Sequence, residues 1–423
     1  MTPLSPLPYS SPVSPFAFRD YRLFWAAKFA GTVASLLMVV VIGWQVYDLA
    51  RRTMAPKEAA FVLGMVGLAQ FLPLLLLNPF VGLVADRFDR RWIARASEAL
   101  QLGCALVLAV GTRSGWLPLP GIFVVAALLG VARAFASPAL SALAPNLVPR
   151  KVLPRAVAMN SMAWQSGAIL APPLGGYLYA AAPFAPYASA SALLTFSLAA
   201  LMFIRPVPRP PRASATPFAQ IAEGVRYVRN NRVVLGAISL DLFAVILGGA
   251  TALLPIYARD ILHVGAAGLG NLRAAPAIGA TATALFLARR SLGRSVGLKI
   301  FVAVGLFGAA TVVFGLSRNM ALSLGALAVI GAADMVSVYV RQSLIQIHTP
   351  DAMRGRVAAV SSLFISASNE LGEFESGVVA SAIGPVAAAV VGGAGAVLVA
   401  ILWARGFPEL RRADTLGAPD TVG

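Results

Sequence analysis

"GLVADRFDRR", residues 82–91, packs five charges into ten positions of a chain in which only 12% of residues are charged. Arg95, just beyond, adds a sixth, and apolar runs flank the stretch on both sides. The fold is decided by what those runs are. The chain has 423 residues, 58% of them hydrophobic, with a mean hydropathy of +0.79. A soluble domain carries roughly 25% charged residues, about twice the fraction here. Apolar stretches of about 20 residues recur along the whole length, as a hydrocarbon core about 30 Å thick requires of a helix. Lipid leaves no partner for exposed backbone groups, so runs without strand-like alternation predict a helical bundle. The expected fold is an all-α polytopic membrane protein.

Twelve spans are expected, at 24–48, 60–84, 93–112, 121–143, 157–181, 184–204, 234–257, 267–288, 298–316, 320–342, 358–382 and 385–404. Of the 34 Lys and Arg residues, 24 fall on the side of the termini and six on the other, which places both termini in the cytoplasm of a multi-pass plasma-membrane protein. Arg51 and Arg52 oppose that bias locally. The expected organisation is a disordered cytoplasmic tail (1–18), a six-helix bundle (19–204), a cytoplasmic linker (205–233), a second six-helix bundle (234–404) and a second tail (405–423). The linker opens with "RPVPRPPRASATP", which cannot sit inside a helix. It continues with Phe218, Ile221, Val225 and Val228 at helical spacing, an amphipathic helix expected at the membrane surface.

The formal charge of +17 is dispersed in short clusters, which argues against nucleic acid as a partner. Cys104 alone cannot form an internal disulfide, and His263 and His348 lie in different expected loops, so no metal site and no cofactor are expected. The Pro- and Ser-rich start lacks the charged region of a signal peptide.

The two halves resemble one another. A shift of 201 positions carries residues 130–161 onto 331–362, matching Gly130 with Gly331, Pro149 with Pro350, Arg155 with Arg356 and Ser161 with Ser362. A shift of 203 pairs Gly67 with Gly270, Pro73 with Pro276 and Gln70 with Arg273. Duplicated helical halves around a central pathway are characteristic of secondary transporters.

The opening stretch is similar to the signature loop G-x-x-x-D-R-x-x-R-R of the major facilitator superfamily, through Gly82, Asp86, Arg87, Arg90 and Arg91. "LLPIYARDIL", "TPDAMRGRVAAVSSLF" and "NLVPRKVLPRAVAMNS" resemble its siderophore-exporter branch. The likeness implies two pseudo-symmetric six-helix bundles, with the first, fourth, seventh and tenth spans lining the pathway. It also implies that Asp86 meets the start of the eleventh span, after Arg354 and Arg356, when the cytoplasmic side is closed. A helix N-terminus suits a carboxylate there. The arginines alternatively only set topology. "GAILAPPLGG" (167–176) resembles the antiporter motif of drug/proton exchangers: Gly167, Pro172, Gly175 and Gly176 match, and Ala171 replaces the central glycine. Pro172 and Pro173 break the backbone ladder, which predicts a kinked, closely packed face for coupling or for packing alone.

Arg133, Asp241, Arg273, Asp334, Glu370, Glu373 and Glu375 fall inside expected spans, where each must face a partner or water. Arg133 and Asp334 are equivalent under the 201-residue shift. The likeness, with its four pathway-lining spans, implies that Arg133, Asp241 and Asp334 surround one cavity, an Arg–Asp pair across the axis serving proton coupling or standing as an inert ion pair. Glu370 and Glu373 share a helix face and are candidates for carrying a proton, unless Arg273 neutralises one of them structurally. Gln45, Gln70, Asn160, Gln165 and Tyr177 are candidates for the substrate route, with Trp44 and Trp164; Trp44 alternatively anchors at the membrane interface. The expected function is proton-coupled export of small amphipathic organic molecules, drug- or siderophore-like, by a monomer in the bilayer. The alternative is a facilitator or importer of a small metabolite. No G-x-x-x-x-G-K-[ST] stretch or nucleophile–base set points to an ATPase or another enzyme.

Overall fold

The computed structural model describes residues 14–206, 217–290 and 292–414, with the side chains at 78, 79, 82, 83, 85–87, 142, 217–220 and 352 outside the description. Two consecutive sets of long helices account for almost all of it. The first set is α1 (Arg19–Ala50), α2 (Pro56–Arg87), α3 (Arg90–Ser114), α4 (Leu119–Leu143), α5 (Leu153–Ala181) and α6 (Ala185–Met202). After α7 (Pro217–Asn230) come α8 (Arg232–Leu247), the single turn α9 (Leu254–Ile256), α10 (Gly265–Arg289), α11 (Val296–Leu316), α12 (Met320–Ile347), α13 (Asp351–Ile383), α14 (Pro385–Gly406) and the short α15 (Pro408–Arg411). Below, the end of the bundle nearest the termini is called proximal and the opposite end distal.

The charged stretch at 82–91 is a tight proximal turn. Helix α2 ends at Arg87, and Asp89 caps α3 by accepting the Arg91 N–H at 2.9 Å. Arg91 closes an ion pair back to Asp89 at 2.7 Å and donates to the Ile204 carbonyl. Arg95, almost wholly buried, donates to the Leu201 carbonyl at 2.9 Å. A cation on the open carbonyls at a helix C-terminus satisfies groups that the helix cannot satisfy itself. These arginines therefore tie the start of α3 to the end of α6.

Among the described residues, nine helical segments are individually long and apolar enough to cross a membrane. Helices α5, α10 and α13 are outside that set, and all three lie in seams between the halves. The two halves meet along two seams, α5 against α10 and α2 against α13. Helices buried in protein need less apolar surface than helices facing lipid. The internal repeat reappears in the packing. Gly130 lets α4 lie on the backbone of α2 at Gln70, and Gly331 lets α12 lie on α10 at Pro276. Gly67 and Gly270 sit at the two seams, against Glu370 and Glu373 in one and against Pro172 in the other. Small residues at such crossings let helices approach closely where no water drives them together.

Three expectations need correction. The span at 234–257 is not one helix: α8 ends at Leu247, and a 3-10 turn (Ala250–Leu253), α9 and a π turn (Tyr257–Ile261) follow. Gly248 and Gly249 open the break, and a side chain on Gly249 would meet the Gly372 carbonyl at 2.7 Å. The linker helix α7 is amphipathic, but its apolar edge is turned to protein: Val228 packs with Val234, Ile238, Ile345, Val357 and Val360. Finally, the end of the expected disordered tail is ordered, with Pro15–Ala17 in a 3-10 turn and Phe16 against Trp25 at 5.3 Å. The rest of that tail, residues 1–13, lies outside the described residues, as do 415–423 of the second.

Candidate functional site

The cross-half hydrogen bonds and ion pairs traced among the described residues fall between the middle of the bundle and its distal end. One of those near the middle is an ion pair between Arg133 of α4 and Glu370 of α13, at 3.2 Å. Arg133 also donates to the buried Gln70 side chain of α2 at 3.0 Å. Its side chain is 43% exposed and that of Glu370 only 13%, so the guanidinium borders open space while the carboxylate lies against the seam. Glu373, one turn on, packs against Gly67, and Glu373 and Arg273 both lie close enough to act on the Glu370 charge. Arg273 Nε is buried and has no hydrogen-bond partner among the described residues. Two cations and two carboxylates thus gather at the seam between α2 and α13.

The second seam uses the proline–glycine face of α5. Gly167 and Gly175 lie on α1 beside Thr32 and Leu37, while Gly176 lies on Ala266 of α10, and Gly270 of α10 lies on Pro172 and Pro173. The helix stays continuous through both prolines. Gln165 donates to the Ala277 carbonyl and to Thr281 at 2.7 Å, so it belongs to this seam. Tyr177 accepts from Asn271 at 3.2 Å and borders an apolar cavity of about 700 Å³ shared by α5, α10 and α12.

At the distal end the contacts are ionic and reciprocal. Asp48 of α1 pairs with Arg259 at 2.5 Å, and Arg51 of α1 pairs with Asp260 at 3.0 Å. The Tyr47 hydroxyl donates to the same Asp260 oxygen at 2.5 Å, and Arg52 reaches Asp48 at 3.1 Å. The π turn puts Arg259 and Asp260 side by side toward α1. Arg51 and Arg52, misplaced by the charge bias, are thereby neutralised in place. Trp44 is buried in a hydrophobic cluster there and is no interfacial anchor.

Other expectations give way to different partners. Among the described residues Arg133 pairs across the axis with neither Asp334 nor Asp241. Arg133 takes Glu370, while Asp334 shares a small cavity with Asp241, whose carboxylate pairs with Arg341. Arg341 follows Asp334 by seven residues, two turns on the same face of α12, so a cation within the second half reaches Asp241 first. Gln45 is not on an open route: it is buried, accepts from Tyr187 at 2.6 Å and donates to Thr112. Asn160 accepts from Tyr21 at 3.4 Å near the proximal end. Arg356 pairs with Glu223 of α7 at 2.5 Å. The expected Asp86 contact rests on a side chain outside the described residues, as is that of Arg87, whereas the backbone there is helical.

Sequence reading passed over Arg341 and Glu98. Glu98 is buried between α1 and α6, touching the Gly31 position and Ser197, with one oxygen unpartnered. An acid inside an amphipathic helix such as α3 reads as a surface residue until the packing is known. Among the described residues no group of three or more His, Cys, Asp or Glu side chains could hold a metal ion.

Comparison with known proteins accords with this architecture. The profile of the transmembrane secretion effectors matches residues 10–418. The enterobactin exporter EntS of Citrobacter koseri is 27% identical over 398 residues, 93% of this chain and 92% of the relative. EntS of Escherichia coli O139:H28 is 26% identical over 404 residues, with the same coverage of both chains. Among solved structures, a POT family transporter in complex with 5-aminolevulinic acid superposes with TM-score 0.72 at 12% identity, covering 93% of this chain and 97% of that one. A D-xylose–proton symporter gives 0.70 at 15%, covering 93% and 98%. Two packed helical sets, seamed by small residues and matched end to end by these relatives, make this chain a member of the major facilitator superfamily, in its transmembrane secretion effector family.

Proposed function

We propose that this transporter exports small amphipathic organic molecules, drug- or siderophore-like, by proton-coupled alternating access across the plasma membrane. Residues 19–204 and 234–404 rock as two bundles joined by the linker at 205–233, in a monomer with both termini in the cytoplasm. In that orientation the present structure is closed outward.

The observation that carries this reading is the Arg133–Glu370 pair. It joins the two halves across the α2–α13 seam beside open space, so it must break when the halves rock the other way. A proton on Glu370 removes the charge that Arg133 holds, and substrate at Arg133 competes for the same guanidinium. Glu373 and Arg273 adjust the balance. Curated relatives named as enterobactin exporters support the siderophore-like class. Gly176 and Gly270 make α5 and α10 a hinge face, and Asp86 latches the other state.

Reconstituted protein given an imposed proton gradient, cationic dyes and catechol-type chelators tests this. Gradient-dependent uptake is expected, and Glu370→Gln abolishes its dependence on the gradient without loss of folding. Uptake indifferent to the gradient in the unsubstituted protein leaves facilitation, the reading favoured by Ala171 in place of the central motif glycine.

A further inference from the structure

Asp241 of α8 and Asp334 of α12 border one cavity of about 10 Å³, shared with Ala244, Val304, Phe307 and Ser337. That volume is at the lower bound for a single water. Arg341 pairs with Asp241, and both side chains are less than a tenth exposed. Arg341 Nε is buried without a hydrogen-bond partner, and Asp334 has no hydrogen bond or ion pair among the described residues.

The charges around this cavity form a closed set. Those acting on Asp334 are Asp241 and Arg341, whereas Glu370 answers to Arg133, Glu373 and Arg273. Helix α11 presents Val304 and Phe307, and its Lys299 is held by loop carbonyls at its far end. From α13, Glu375 is engaged by Ser376; Arg405 lies in the last turn of α14. Two carboxylates against one guanidinium leave one negative charge uncompensated at a half-buried position lined mostly by apolar side chains. Such a charge is expensive to keep, and it is removed by a proton or a small cation. Arg341 opposes a cation.

We propose that Asp334 is a proton-binding site housed wholly in the second half, separate from the Arg133–Glu370 pair, with Asp241 kept ionised by Arg341. The step is protonation alone: the Asp334 carboxylate takes a proton from the aqueous phase and becomes a neutral acid. Ionised, Asp334 competes with Asp241 for Arg341; protonated, it releases Arg341 to Asp241. The exchange shifts α12 against α8, the helix that ends at the break leading to Arg259 and Asp260. The role in transport rests on the proposed function, whereas the binding of the proton does not.

Infrared difference spectra between acid and neutral pH, taken on the full chain in liposomes, read the site without transport. A protonated-carboxyl band is expected that Asp334→Asn removes and Glu370→Gln keeps. The double variant Asp241→Asn with Arg341→Gln also keeps it. If Asp334→Asn fails to insert, Asp334→Glu must shift the band. A band unchanged by both single Asp334 variants, or erased by sodium ions at fixed pH, overturns the assignment. In transport, Asp334→Asn lowers gradient-driven uptake by roughly tenfold, the size of a typical coupling energy, and spares substrate exchange without a gradient. If the band titrates but uptake in the unsubstituted protein ignores the gradient, the site stands and proton-driven export falls.

Discussion

The two ends of the bundle are held together differently. At the distal end one hydrophobic cluster draws on both halves, with Tyr47, Ala60 and Leu63 from the first and Leu253, Tyr257 and Ala380 from the second. Ion pairs cross there in both directions, and Lys57 donates to the Ala382 carbonyl. At the proximal end each half keeps its own cluster, one around Tyr21, Phe24 and Leu143, others around Ile300 and Leu344 and around Val228 and Val360. Of the ion pairs found there among the described residues, including Arg91–Asp89, Arg294–Asp414 and Arg356–Glu223, none joins the first half to the second. Among the described residues, the contacts traced between the halves are therefore concentrated at one end. A rocking protein needs that arrangement: the contacts that hold one state must be removable without unfolding either half.

The largest effect is expected at the seam. A side chain on Gly176 would run into the backbone of α10 at Ala266 and Gly270. Overpacking of this kind costs about 1–3 kcal/mol, so Gly176→Leu is expected to hold the distal end open. With Cys104 replaced by Ala, thiol labelling of Ala380→Cys from the distal side should rise sharply in that variant; unaltered labelling would show that the seam does not close this end. Next is the ionic layer. Asp48→Arg sets two cations face to face, and because the pair is only partly buried its loss is worth about 1 kcal/mol. The same labelling should rise several-fold, and adding Arg259→Asp should reverse it. Failure of that rescue would reduce the reciprocal pairs to decoration. A smaller change, about 0.2–1 kcal/mol, is expected for Glu223→Gln, which frees Arg356 from the exposed linker helix; distal labelling should not respond.

The smallest effect concerns the pin on the chain after α15. The Ser295 N–H and Arg294 hold the Asp414 carboxyl below its ordinary value. A lowered value means the pin is complete above the ordinary carboxylate range and is lost only as pH falls through that lowered value. Amide exchange at Ser295 should therefore show the same protection at pH 7 and in mild acid; early loss would contradict the contact.

Much of this was legible beforehand, because it depends on local physics. The positions of most long helices follow from apolar length, and the loop at 82–91 from its charges between two apolar runs. The repeat offsets located Gly67 and Gly270, which do lie at equivalent seams. Pairing was less legible. Arg133 and Asp334 are equivalent in sequence, yet each found a different partner, since rotation about a helix axis decides what a side chain meets. The break after Leu247 was hidden inside an apolar run, where hydropathy cannot register a change of backbone geometry. Arg51 and Arg52 looked like exceptions to a charge rule until Asp260 and Asp48 appeared beside them.

Composition, spacing and duplication by themselves determined that the chain is a two-part helical membrane protein, because lipid imposes the same length and backbone requirements on any such segment. Which carboxylate meets which guanidinium, which end is shut, and where Asp334 lies were decided only by tertiary structure. Those properties depend on helix rotation and close approach between residues some 200 positions apart, which no local rule of the chain specifies.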